Sequence, residues 1–116
     1  MKFCEKIVAV DNRIRFAGLF EGGSIIEWAK NLDIKLIMSQ SEIESILAAL
    51  VPFSNAIVRQ WSKYFGKFEH QKTSFEKLNL YIFKGNEKTI LITTQREFPN
   101  GAITKVKEII KRQFEK

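Results

Sequence analysis

One cysteine and one histidine are all the soft metal-ligating chemistry in this chain. A site built on such ligands needs several of them converging on one ion, and Cys4 and His70 lie far apart in sequence. A Cys4–His70 nucleophile pair has no local support either. A lone cysteine also excludes an internal disulfide; Cys4 is read as a buried thiol packing like a small hydrophobe. Phosphate-cradling glycines are missing, because Gly22-Gly23 belongs to neither GxGxxG nor GxxxxGK[ST]. Paired carboxylates occur only as near neighbours, Glu42/Glu44 and Glu5/Asp11, and read as solvated rather than as an acid–base dyad. The stretch Met1–Val10 mixes charge with apolar residues instead of forming a leader's apolar core. No apolar run of about 20 residues suited to a bilayer stands out. The expectation is a cytoplasmic protein with no catalytic residue, no metal and no cofactor.

What is present is bulk. The chain is 45% apolar with ten phenylalanines in 116 residues, enough for one domain with its own core. Its net charge of +6 comes from 19 basic and 13 acidic residues that are interspersed. Positive charge gathers at Arg59, Lys63 and Lys67, and again at Lys105, Lys107, Lys111, Arg112 and Lys116. Both clusters end helical patterns, where cations complement the helix dipole. A polyanion contact through the last helix stays open as the other reading.

Periodicity then orders the elements. Phe3, Cys4, Ile7 and Val8 mark one face of a short helix. In Ile14–Phe20, alternation puts Ile14, Phe16, Gly18 and Phe20 on one side and Arg15, Ala17 and Leu19 on the other. Gly22-Gly23 supplies a hairpin turn into a strand from Ser24 to Trp28. The apolar segment 30–40, with Ile34, Leu36, Ile37 and Met38, forms an extra strand, lies across the sheet, or offers a contact patch. Ser41 is the expected N-cap of a long helix. That helix carries Ile43, Ile46, Leu47 and Leu50, then Phe53, Ile57, Trp61 and Tyr64. Pro52 kinks or splits it, and Gly66 stops it. Phe68–Phe75 reads as a charged edge strand, Leu78–Phe83 and Lys88–Thr94 as strands, and the last helix buries Ile103, Val106, Ile109, Ile110 and Phe114. Tyr81 and Phe83 share a strand face, as a core pair or a loose stacking platform for bases. Trp28 and Trp61 are expected to face the core, with an interface as the other reading for Trp61. The fold class is α+β: a central five-stranded antiparallel sheet flanked by helices, in the order α-β-β-α-β-β-β-α.

That order resembles the roadblock family, a branch of the profilin-like and longin-like architecture, over nearly the whole chain. The first strand, with Asp11, Arg13, Ile14, Arg15, Phe16, Ala17 and Gly18, is similar to the DxRIRFAG-like start of small single-domain archaeal members. SFEKLNLYIFKGNEKTILITT fits the family's last hairpin. Pro52 and the apolar 30–40 segment depart from it. The resemblance implies a scaffold rather than an enzyme: a homodimer joined sheet edge to sheet edge with long helices side by side, and a platform for a Ras-like small GTPase. Carried over, the dimer surface is Ile57, Trp61 and Tyr64 on the long helix with Phe68, His70, Lys72 and Thr73 at the edge. The alternatives are a small-molecule sensor, with the 30–40 segment over a pocket, and a weak nucleic-acid binder using the basic last helix.

Overall fold

Gly22 and Gly23 adopt φ of 60° and 87°, the positive values a two-residue hairpin turn demands. Around them β1 (Ile14–Glu21) turns back into β2 (Ser24–Lys30). The computed structural model describes residues 1–35 and 38–114. The remaining elements are α1 (Phe3–Val8), α2 (Gln40–Phe65), β3 (Gln71–Ser74), β4 (Asn79–Gly85), β5 (Lys88–Thr94) and α3 (Asn100–Phe114). The five strands form one antiparallel sheet in the order β2-β1-β5-β4-β3, so β2 and β3 are its edges.

Each sheet face carries its own apolar layer. One side packs under α1 and α3, with Phe3, Cys4 and Ile7 from α1, Ile103, Val106 and Ile110 from α3, and Ala17, Leu19, Tyr81, Phe83, Ile90 and Ile92 from the strands. The other lies under α2, with Ile43 and Leu47 against Phe16, Phe20, Ile82 and Leu91. Tyr81 and Phe83 are therefore core, with rings stacked 6.3 Å apart, and are not a stacking platform for bases.

Simple alternation fails at the start of β1. Ile14 pairs with Thr94 and Phe16 with Thr93, so Arg15 is an extra residue in a bulge. A bulge resets the two-residue period. It sends Ile14 to the α1–α3 side with Ala17 and Leu19, opposite to the expected face. The turn before it is locked by Asp11, whose carboxylate accepts from the Arg13 backbone N–H and from the guanidinium at 2.8–2.9 Å. Those contacts hold the Asp11 carboxyl below its usual range, the Arg13 side-chain bond first among the causes.

The cap of helix α2 lies two residues before the expected one. Ser39, not Ser41, is the N-cap, because its hydroxyl accepts from the Glu42 N–H while Glu42 accepts from the Ser39 N–H. That reciprocal box satisfies two otherwise orphaned donors. Glu44 is not merely solvated, since it accepts from the Ile25 N–H at 2.9 Å and ties α2 to β2. Pro52 lies inside one uninterrupted helix, so it does not split it. Residues 31–35 are loop and turn, Met38 packs on the α2-side core, and Leu36 and Ile37 lie outside the described residues.

Candidate interaction surface

A helix of 26 residues is about 39 Å long. The strands beneath it, at seven or eight residues, span only about 25 Å. The helix therefore outruns its sheet. Ile43 and Leu47 are buried and Ser54 is its last buried residue. Trp61 and Phe65 share the inward direction of Ile43 and Leu47 at 100° per residue, yet lie past the sheet and are 54% and 80% exposed. On the adjoining flank Ile46, Phe53, Ile57 and Tyr64 fall within about 40° of one another, and Phe53 and Tyr64 are 60% and 73% exposed. The aromatics at the tip contact their own helix: Trp61 meets Phe65 edge-on at 6.2 Å, and Lys63 sits 5.2 Å from the Tyr64 ring centre. A row of large apolar side chains left to water is the kind of patch that interaction surfaces, ligand grooves and membrane contacts carry.

The expectation that Trp28 and Trp61 face the core is corrected. Trp28 stacks on Phe16 at 6.0 Å but is 45% exposed, on the edge strand β2. The sequence reading also finds no membrane-length run, whereas α2 is by length and composition long and apolar enough to cross a bilayer. Its packing on the sheet makes it a layer of this fold, and its outer flank stays exposed among the described residues.

The two sheet edges differ. β2 has a register shift opposite Leu19 and Phe20, and bulges of this kind twist an edge away from pairing. β3 pairs with β4 in unbroken register from Gln71–Ile82 to Ser74–Asn79. It is the straight edge, although it begins at Gln71 and not at the expected Phe68. Register also sorts the expected interface residues. Thr73 stands opposite Leu80 on the α2 side, the side of Ile57, Trp61 and Tyr64. Lys72 stands opposite Tyr81, with its ammonium 5.8 Å from that ring, on the α3 side. His70 packs 5.6 Å from Phe83 and 5.9 Å from Tyr81, and Phe68 borders a hollow with Phe83 and Ile110. The seven residues thus fall on both faces of one edge, in two groups.

The His70 environment is chemically distinct. Its Nδ1 is buried without a partner among the described residues. Burial first, then the charges of Lys107 and Lys72, push the ring's pKa down against the opposing pull of Glu69. Among the described residues no group of three His, Cys, Asp or Glu side chains is placed to hold a metal ion.

No family model matches the sequence, and no curated protein does. Solved structures do. The gliding protein MglB of Thermus thermophilus superposes with a TM-score of 0.74 at 15% identity, covering 97% of this chain and 86% of its own. An MglB in a tetrameric arrangement gives 0.73 at 15% identity over 97% and 85%. A Roadblock/LC7 domain from Streptomyces avermitilis gives 0.71 at 12% identity over 97% and 92%. The chain has the roadblock fold. At these identities the likeness is one of fold, and the expected α+β class, strand count and element order stand. Phe53 and Phe65 are exposed aromatics of α2 that the expected interface leaves out. Their signal was present as the mismatch between a long helical pattern and short strands.

Proposed function

We propose that this chain is a non-enzymatic roadblock-type module that pairs with a second copy and serves as a scaffold or regulator for a Ras-like small GTPase. The observation that carries this reading is the set of exposed aromatic side chains on α2, Phe53 and Tyr64 on its flank and Trp61 and Phe65 past the end of the sheet. Burying such side chains is worth about 1.5–3 kcal/mol each, so two such helices laid side by side have a driving force for association. The straight β3 edge supplies backbone donors and acceptors in the same assembly. An MglB of this fold in a tetrameric arrangement supports self-association as the working assumption, and the family resemblance supports the GTPase.

Two measurements test it. Light scattering behind size-exclusion chromatography, run over a dilution series, is expected to give twice the chain mass down to low micromolar concentration. Pull-down with a panel of small GTPases, each loaded with GDP or a GTP analogue, is expected to retain one in a nucleotide-dependent way. A monomer at every concentration removes the paired platform. A stable dimer that retains no GTPase leaves a scaffold for another protein.

A further inference from the structure

The bulge in β1 places a guanidinium beside an apolar hollow. Arg15 and Phe16 follow each other in sequence, and both line a cavity of about 120 Å³ on the α2 side of the sheet. In regular β alternation only one of the two would reach that face. Phe16, Leu80 and Leu91 form its floor, and Met38, Ile43 and Ile46 its wall. Among the described residues Arg15 is the one charged residue of the lining, and no acidic side chain takes part. Among the described residues the Arg15 side chain makes no ion pair and no hydrogen bond, and it is half-buried. A partly desolvated cation without a counter-ion is costly, and a carboxylate meets a guanidinium with two parallel hydrogen bonds.

We propose that this cavity binds a small apolar carboxylate: one aromatic ring or a chain of about six carbons, with its acid group on Arg15. The size follows from the volume, which is a little under the roughly 150 Å³ of an apolar cavity that holds benzene, with the acid group lying outside the apolar part on Arg15. The head group follows from the charge. A cation is repelled by Arg15, and a neutral ligand leaves the guanidinium unpaired. The cavity shares Ile46 with the α2 flank of the proposed scaffold, but the ligand reading does not rest on pairing.

The test is calorimetric titration of the full chain with benzoate and hexanoate, against benzyl alcohol and hexanol as neutral counterparts. The acids are expected to bind in the range of about micromolar to millimolar, as suits ligands of this size, and tenfold or more tighter than the alcohols. Arg15→Gln is expected to bring the acids down to the level of the alcohols. Ile46→Trp, at a position 40% exposed and so tolerant of bulk, is expected to fill the cavity and abolish all binding while the thermal melt is retained. Equal affinity for acid and alcohol, or acid binding unchanged in Arg15→Gln, overturns the proposal. So does a titration with no acid binding. Mass is read on the same samples. Acid binding seen in monomer fractions but absent from dimer fractions means that the second copy fills the cavity, and the proposal falls without touching the dimer.

Discussion

The backbone N–H of Cys4 donates to the Glu27 carboxylate across 2.6 Å, and the Cys4 thiol donates to the Glu27 carbonyl at 3.7 Å. One residue of β2 thereby holds the first turn of α1, whose early N–H groups have no helical partner of their own. Glu27→Ala leaves that N–H unsatisfied in a partly buried place, and a loss of about 1–3 kcal/mol is expected in urea unfolding. Glu27→Gln keeps an acceptor oxygen and is expected to cost less. Equal losses from the two variants would mean that the negative charge matters more than acceptance.

Burial and the same contact together govern the thiol. Burial first, and then the Glu27 charge, push the Cys4 thiol well above the ordinary cysteine range. Thiolate is the reactive form, so native protein at pH 8 is expected to resist alkylation. Labelling is expected to proceed at the rate at which α1 detaches and to be faster in Glu27→Ala. Immediate labelling of native protein would contradict this packing.

Gly85 ends β4 where Phe114 of α3 lies over it. A Cβ built there collides with the Phe114 ring, whose Cγ is only 3.0 Å away. Phe114 also meets Phe3 edge-on at 5.3 Å, so it has little room to retreat. Gly85→Ala is expected to cost about 1–3 kcal/mol through overpacking. In a Phe114→Ala background most of that cost is expected to vanish, because the two sites share one contact. Additive losses would place the strain elsewhere.

The His70 ring gives the fold a pH dependence of definite sign. Its folded-state pKa is lowered, by burial first and then by Lys107 and Lys72, against Glu69. Above the unfolded value of about 6.5 the ring is neutral in both states and contributes nothing. As pH falls through that value the unfolded chain takes up the proton first, so stability declines toward the folded pKa. His70→Phe keeps a ring against Tyr81 and Phe83 and is expected to flatten the branch of the stability curve below pH 6.5. An unchanged acid branch in that variant would assign the decline to other groups.

Much of this fold was legible in the residues, and the failures have physical causes. Gly22-Gly23 and the β-branched run Lys88–Thr94 announce their elements through turn chemistry and strand propensity. The bulge at Arg15 has no such mark, so the side taken by Ile14 was not readable by alternation. Ser39 and Ser41 each stand three residues before a glutamate, Glu42 and Glu44, so the capping-box spacing fits both serines. Only the tertiary bond from Ile25 to Glu44 separates the two, and a local pattern does not contain it. The helical period found α2, but period alone does not say where the sheet beneath it ends.

That end point yields the prediction with the most bearing on function. Trp61 is half exposed and makes its ring contact within its own helix, with Phe65. If its role were to hold the fold, Trp61→Ala would lower stability as a core truncation does, by about 3–5 kcal/mol. As a surface side chain it is expected to change the unfolding free energy of dilute monomer by no more than about 0.5 kcal/mol. Dimer dissociation tells the two roles apart, because aromatic anchors of interfaces cost about 2 kcal/mol or more when truncated, a factor of about 30 in the dissociation constant. Phe53→Ala is expected to behave alike, since its ring too is exposed on α2 outside the core. His70→Phe, whose ring faces the α3 side, is expected to leave dimerisation unchanged if the helix flank dominates the contact. Loss of dimer in His70→Phe but not in Trp61→Ala would shift the interface to the other face of the β3 edge.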